Sequence, residues 1–337
     1  MTIQPSSLVK ISHFPVMLNE IIKLSSPSKG GIFVDCTFGG GSYSKYLLKY
    51  PKTSVIGIDR DNAVIPEAKK LEKKFDNRFK FYHLKFSQIN LILKEYVDTI
   101  IFDLGLSSIQ LNNFKRGFSF NSKESLDMKM GLSEISAQEV VNNLSETELK
   151  MVIKFLGEEK EAYKIARNIV KARSEKRITK VQELVSIIEN SKKKNFHNKI
   201  NPSTKTFQAL RIFVNKEISE LINGIIYATR FLKPGGKILI LSFHSIEDKI
   251  IKYFFSNFSQ NRARPSRYLP EDNYDKNILF EKYLNKVIKP SKKEISINNP
   301  SRTAKLRYAT RSKNKFIYPE KLVKKFKKYL EIEAFNV

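Results

Sequence analysis

The sequence predicts an α/β protein: a parallel sheet with helices on its faces, interrupted by a helical insertion. Three observations lead there. The first hundred residues alternate short apolar runs with helix-period segments, the pattern of strand–helix–strand units. Those runs are almost continuously apolar, as in strands covered on both faces. From about 133 to 195 the strand rhythm stops, and it returns only after KPGG at 233–236.

In chain order, strands are expected at GIFVDCT (31–37), SVIGIDR (54–60), KFYHLKF (80–86) and TIIFDLG (99–105), each ending near a turn or a polar residue. SAQEVVNNLSETELKMVIKFLG and EEKEAYKIARNIVKARSE then carry apolar residues at helical spacing with no strand between them. A fifth strand is expected in KILILSFHS, followed by a helix in EDKIIKYFFSNF. Residues 261–298 are polar and irregular, AKLRYATR reads as a last short strand, and KLVKKFKKYLEIEAF reads as a basic amphipathic helix on the surface. This divides the chain into a discontinuous core, 1–111 and 216–337, around an insertion at 112–215. No repeat of 20 to 50 residues is visible.

The formal charge is +27, from 61 basic and 34 acidic residues in a chain of 337. Such a field draws polyanions, nucleic acid first among them, although solvated surface lysines alone produce the same composition. With no tryptophan, base stacking falls to tyrosine, phenylalanine or arginine. The single cysteine, Cys36, excludes an internal disulfide or a cysteine-held structural metal and points to a reducing compartment, the cytoplasm by default. No run of 18 apolar residues and no basic head joined to an apolar stretch occurs, so neither membrane spanning nor secretion is expected.

The stretch DCTFGGGSYS (35–44) ends the first strand and turns through Gly39, Gly40 and Gly41 into a helix. Bare backbone N–H groups are thereby brought to a ligand at a helix start. Asp59 stands at the end of the next strand, 20 positions after Gly39, where a carboxylate accepts hydrogen bonds from ribose hydroxyls. Dinucleotide enzymes and S-adenosylmethionine enzymes share this pair of features, and a purely structural tight turn is a further alternative. The fingerprint G-x-G-x-x-G and the P-loop are both absent. Asp103, at the end of the fourth strand, is expected at the same sheet edge as Asp35 and Asp59. Three carboxylates suit a cationic sulfonium better than a pyrophosphate, so a methyl donor is favoured. Each aspartate taken singly is also an ordinary cap or turn residue.

Many separated words, in order, resemble the bacterial ribosomal RNA small subunit methyltransferase H family. They include HFPVML (13–18), DCTFGGGSYS, IGIDRD (56–61), FDLGLSSIQL (102–111), RGFSF (116–120), LDMKM (126–130), GEE (157–159), NPSTKTFQALRIFVNKE (201–217), PGGKILILSFHSIEDKIIK (234–252) and NPSRTAKLR (299–307). The similarity spans nearly the whole chain. It implies a Rossmann-like class I S-adenosylmethionine-dependent methyltransferase fold, and methyl transfer from S-adenosylmethionine to the N4 amino group of a cytosine in 16S rRNA. The expected partners are that rRNA, within the small ribosomal subunit, and a second copy of the chain.

Carried over by position, the resemblance implies donor contacts from Gly41, Ser42, Tyr43, Asp59, Phe86, Asp103 and Gln110, to which the glycine turn adds Gly39 and Asp35. Ser42 and Tyr43 stand where the family reads glycine and histidine. Lys129 replaces the arginine of LDMRM, Asn201 replaces a histidine, and NPSRTAKLR replaces a more arginine-rich word. Asp103 is the expected acceptor for the amino protons of an unstacked base, with His244 as a second catalytic group. Substrate contacts are expected from His13, Arg116, Phe118, Lys129, Lys205, Arg211, Ser245, Arg302, Lys305 and Arg307, as phosphate grips, stacking faces or base contacts. For the aromatic residues the alternative is core anchoring; for the basic ones it is solvated surface.

Three rival functions are weighed. A DNA amino-methyltransferase is expected to carry [DNS]-P-P-[YFW] after strand four, and DLGLSS has neither proline. A nicotinamide oxidoreductase lacks its fingerprint. A non-catalytic RNA-binding assembly factor that keeps the fold is the third.

Overall fold

The computed structural model describes residues 15–192, 201–261 and 278–337. Among them, six strands form one sheet in the order β3-β2-β1-β4-β5-β6: β1 (Gly31–Asp35), β2 (Thr53–Asp59), β3 (Phe79–His83), β4 (Val97–Asp103), β5 (Leu232–Ser242) and β6 (Lys305–Thr310). All neighbours are parallel except β5 and β6. The chain builds outward from β1 to β3, then crosses back to lay β4 on the other flank of β1. A crevice opens at such a reversal, beyond the carboxyl ends of the strands.

The continuous apolar runs are explained by burial on both sides of the sheet. In β4, Ile100 and Phe102 enter one apolar cluster, while Ile101, between them, enters the other; in β5, Ile238 and Ile240 face one way, and Leu239 and Leu241 the other. Alternate side chains leave a strand on opposite faces, so both sets must be apolar. Each such burial contributes roughly 1.5–3 kcal/mol. One face is covered by the helices Leu18–Ser25, Ser42–Leu47 and Ile65–Lys74, the other by Glu217–Phe231 and Ser245–Asn257.

Among the described residues of 112–215, none joins the sheet. They fold into the helices Ala137–Asn143, Glu146–Met151, Ala162–Glu175, Val181–Ser191 and Thr204–Asn215. Ser136 and Ser145 start the first two through reciprocal bonds with Glu139 and Glu148, the arrangement that satisfies orphan N–H groups at a helix start. The helices share one apolar cluster with β4 and β5. Polar fasteners sit at the margin. Arg60, just past β2, donates to Met130 O, Asn215 O and Ser133 Oγ at 3.0, 2.8 and 3.0 Å. Asn215 in turn holds Met128 O and the Met130 N–H.

Three elements differ from the sequence expectation. The third strand stops at His83, and Phe86 opens a 3-10 turn, Phe86–Leu91. KPGG is drawn into β5, which starts at Leu232. The C-terminal basic stretch breaks into Glu320–Lys325 and Lys327–Glu333 and is docked, with Leu322, Phe326 and Ile332 buried. Glu333 caps Glu217–Phe231, accepting from the N–H groups of Ile218 and Ser219 at 2.9 and 2.8 Å. Burial pushes its carboxyl up to about 7 against those bonds. No described helix is long and apolar enough to cross a membrane.

Candidate active site

A cavity of about 460 Å³ opens at the carboxyl ends of β1, β2 and β4. Among the described residues, its wall carries the carboxylates Asp59, Asp103, Glu217, Glu220 and Glu247, against the two cations Arg60 and Arg211. In a chain of formal charge +27, this is a negative hollow. It favours a cation and disfavours a pyrophosphate or a backbone phosphate.

The glycine turn shapes one end. Gly39, Gly40, Ser42 and Tyr43 line the cavity. Gly41 does not: its φ of +72° and the Phe38 ring, 2.6 Å from where a Cβ would stand, make it the hinge of the turn. Gly41 is thus a turn residue, and its neighbours, not Gly41 itself, face the cavity. Asp59 accepts from Gly39 N at 2.7 Å and from Asp61 N at 2.8 Å, which fixes its carboxylate beside the turn while leaving lone pairs for ribose hydroxyls. Burial nevertheless lifts it to about 6. Phe86 also lines the cavity, seated edge-on to Phe102 at 5.3 Å and pressed over Gly224. Gln110 reaches the wall with its side chain held: it accepts from Ser107 N at 2.9 Å and donates to Asp61 Oδ2 at 2.8 Å, which leaves one N–H and one lone pair.

Asp103, at the tip of β4, has a different character. Its Oδ1 is almost sealed from solvent and has no hydrogen-bond partner among the described residues. Burial, then the charge of Asp35, pushes the carboxyl up to about 7, the Tyr43 hydroxyl opposing and Glu247 adding to the rise. An unpaired buried carboxylate oxygen is costly, a condition Asp103 Oδ1 shares with Asp35 Oδ1 behind the turn. Tyr43 gives its own proton to Val16 O at 2.5 Å, tying the turn to the segment that follows the N-terminal word. Its phenol thus occupies the family's histidine position as a wall of the cavity.

Asp35 is corrected outright. It has no exposed surface, accepts from Ser44 Oγ at 2.7 Å and lies behind the turn, burial lifting it to about 6. It reaches a ligand only through its charge.

Across from Asp103 the wall is made by Phe243, Glu247, Arg211 and Glu217. Phe243 packs over Gly105, whose φ of +104° and 3.3 Å Cβ clearance from that ring explain the glycine of DLG. His244 is corrected from a catalytic to a capping position: it starts the helix Ser245–Asn257 and stands outside the cavity wall. Its Nε2 lies 3.1 Å from Glu247 Oε1, but not in hydrogen-bond alignment. Burial pushes Glu247 up, yet His244, the Phe243 N–H and Arg211 together bring it below the usual range. The ligand atoms of Glu217, His244 and Glu247 lie within 4.8 Å of one another; Arg211, bonded to Glu217, supplies this cluster's positive charge.

Most of the expected substrate contacts are consumed internally. Arg116 pairs with Asp61 at 2.6 Å, the side chains 16% and 2% exposed, and also donates to Lys129 O. Phe118 is buried beneath the Arg116 guanidinium. Lys129 faces Asp127 at 3.8 Å. Lys205 donates to Glu158 O at 3.0 Å; Ser245 bonds the Glu158 carboxylate. Arg307 and Lys305 both hold Asp248, at 2.6 and 3.0 Å, and Arg307 is buried. These groups join neighbouring elements rather than standing free as phosphate grips. Arg302 is exposed and donates to Asn299. Among the described ones, only Arg211 lines the cavity. His13 lies outside the described residues.

Sequence comparison settles the family. The sequence pattern of the MraW methylase family matches residues 10–312. The chain belongs to the MraW methylase family. Among curated family members, the ribosomal RNA small subunit methyltransferase H of Ehrlichia ruminantium (strain Welgevonden) is 42% identical over 301 residues, covering 88% of this chain and 98% of that one. The protein of the same name from Parvibaculum lavamentivorans is 38% identical over 304 residues, 89% of each chain. That of Rickettsia africae is 41% identical over 301 residues, 88% and 97%.

Sequence reasoning overlooked Val16, Arg60, Glu217, Glu220, Phe243 and Glu247 in the cavity wall. The words HFPVML, IGIDRD, NKE and SFHSIED contain most of them, but emphasis fell on histidine rather than on its neighbours. Glu220 gave no signal, since it faces the cavity only because Glu217–Phe231 packs across Phe86.

Proposed function

We propose that this protein transfers a methyl group from S-adenosylmethionine to the N4 amino group of a cytosine in 16S rRNA of the small ribosomal subunit. The observation that carries the reading is the unpaired Asp103 Oδ1 in a negatively charged cavity that also holds Asp59 and the glycine turn. Membership of the MraW methylase family supports the reaction class, and the names of the relatives support the substrate class.

The residues fit the methyl donor. Asp59 is set for ribose hydroxyls, Phe86 for an adenine face, and the acidic wall for the ammonium and sulfonium charges. Bound there, S-adenosylmethionine supplies an electrophilic methyl group. The chain's part is positioning. Asp103 accepts one N4–H, directing the nitrogen lone pair at the methyl carbon. As the N–C bond forms and the C–S bond breaks, N4 loses a proton. A carboxyl poised near 7 takes it up and returns it to solvent. The negative cavity admits an uncharged base, while the phosphates stay outside against the basic surface, including parts of 112–215, which we assign to rRNA recognition as a domain. The presentation of the base within an assembled subunit and self-association into a homodimer belong to the same proposal.

The test is to incubate the pure protein with labelled methyl donor and free 16S rRNA, isolated small subunits or duplex DNA, then map the modified base. Label on N4 of one cytosine in rRNA is expected, with subunits the best substrate. Label in DNA alone, or no donor binding at all, rejects the reading. Light scattering checks the dimer.

A further inference from the structure

We propose that Arg211, clamped by Glu217, reads the acceptor base: the free end of its guanidinium donates to N3 and O2 of cytosine while Asp103 holds N4. This rests on the methyl-transfer reading above and adds the source of base selectivity.

The local chain geometry prepares the clamp. Thr204–Asn215 ends at Lys216, whose left-handed φ of 49° reverses the backbone, so Glu217, opening the next helix, folds back on Arg211. Nε and Nη2 of Arg211 donate to Oε1 and Oε2 of Glu217 at 2.8 and 2.9 Å. A side-on bidentate pair fixes the guanidinium plane and uses one edge of it. The opposite edge, one N–H each from Nη1 and Nη2, remains. Nη1 has no hydrogen-bond partner among the described residues and is not sealed off as a buried orphan, and the side chain lines the cavity. The stem itself is locked, only 15% exposed.

Arg211, with N–H donors left on Nη1 and Nη2, lines the same cavity as Asp103. Cytosine presents the complement: an amino donor at N4 beside acceptors at N3 and O2. Uracil sets its O4 against the carboxylate and its N3–H against the guanidinium. Adenine has the amino group and one ring acceptor, but a C–H where the second acceptor is needed. Phe243, in the same wall and packed over Gly105, offers a stacking face. Discrimination by buried hydrogen-bonding groups is steep, because the wrong base leaves them unpaired.

The test uses small subunits reconstituted with 16S rRNA carrying either cytidine or 3-deazacytidine, which lacks the N3 acceptor, at the modified position. Wild-type protein is expected to methylate the analogue about 100-fold more slowly. An Arg211→Met, Glu217→Gln double variant removes both charges together. At saturating donor it is expected to lose about 100-fold on cytidine, and to lose less than about threefold more on the analogue. Should the double variant melt as an unfolded chain, Arg211→Lys carries the same comparison, with an intermediate loss. A variant as active as wild type overturns the proposal, as does an analogue penalty as large in the variant as in wild type. If wild type methylates no rRNA, the function reading itself has failed, which is a separate result.

Discussion

The cavity and the basic words around it use charge in opposite ways. In the cavity wall, Asp103 keeps an oxygen with no partner and Arg211 keeps a free edge. In RGFSF and NPSRTAKLR, Arg116 and Arg307 have matched carboxylates at 2.6 Å and are buried or nearly so. Both kinds of residue stand in family-like words, and a sequence motif alone does not separate them. The difference teaches that bonding capacity left open in a cavity wall, rather than charge alone, separates the two sets. A buried group with every bond made is structural.

The largest expected effect tests the satisfied side. Arg116→Met takes the cation from the buried Asp61 carboxylate and is expected to cost about 3–5 kcal/mol in urea unfolding, whereas Arg307→Met, where Lys305 still holds Asp248, is expected to cost less. Unchanged stability with weakened rRNA binding would turn these arginines into substrate contacts and erase the contrast. On the unsatisfied side, Asp103→Asn is expected to slow methylation about 10²–10³-fold, or about 3–4 kcal/mol, without lowering the melting temperature. A rate near wild type in a subunit assay removes Asp103 from the reaction.

The same residue sharpens the comparison through pH. Its folded carboxyl, raised by burial and Asp35 to about 7, must be ionised to accept, so the methylation rate is expected to climb as pH rises through about 7. Stability runs the other way. A carboxyl raised on folding contributes fully below its unfolded value of 3.8, and that contribution is lost as pH rises toward about 7. Asp103→Asn is expected to flatten the rate slope and to lessen the stability slope, to which Asp35, Asp59 and Glu333 also contribute, measured by initial rates and by thermal melts across pH 4–8. A rate slope that persists in the variant belongs to another group.

Smaller effects follow. Phe86→Ala is expected to weaken donor binding by about 1 kcal/mol, five- to tenfold by calorimetry, through loss of a stacking face. Arg302→Ala, at an exposed side chain, is expected to leave stability within about 0.5 kcal/mol. It is also expected to lower the salt slope of rRNA binding by about 1; an unchanged slope makes it ordinary surface.

Much of the fold was legible because burial on two faces leaves a local trace. Ile100, Ile101 and Phe102 must all be apolar whichever side each faces, and the serine caps at 136 and 145 announce their helices. The glycine turn and the aspartates at strand ends were legible for the same reason: backbone conformation and strand termini are decided within a few residues. Docking was not. The C-terminal stretch looked like a solvated helix until Glu333 was found capping a helix more than a hundred positions earlier.

By itself, the sequence determined the α/β alternation, the sheet edge where the reactive groups gather and, through its ordered words, the family. Only the tertiary structure decided which charged residues stay available, because that depends on what the fold brings opposite them. One oxygen of Asp35 meets Ser44 behind the turn, Arg307 meets Asp248, and Asp103 Oδ1, in the cavity wall, meets no hydrogen-bond partner among the described residues. Hydrogen-bond satisfaction is a property of pairs far apart in the chain, and no local pattern encodes it.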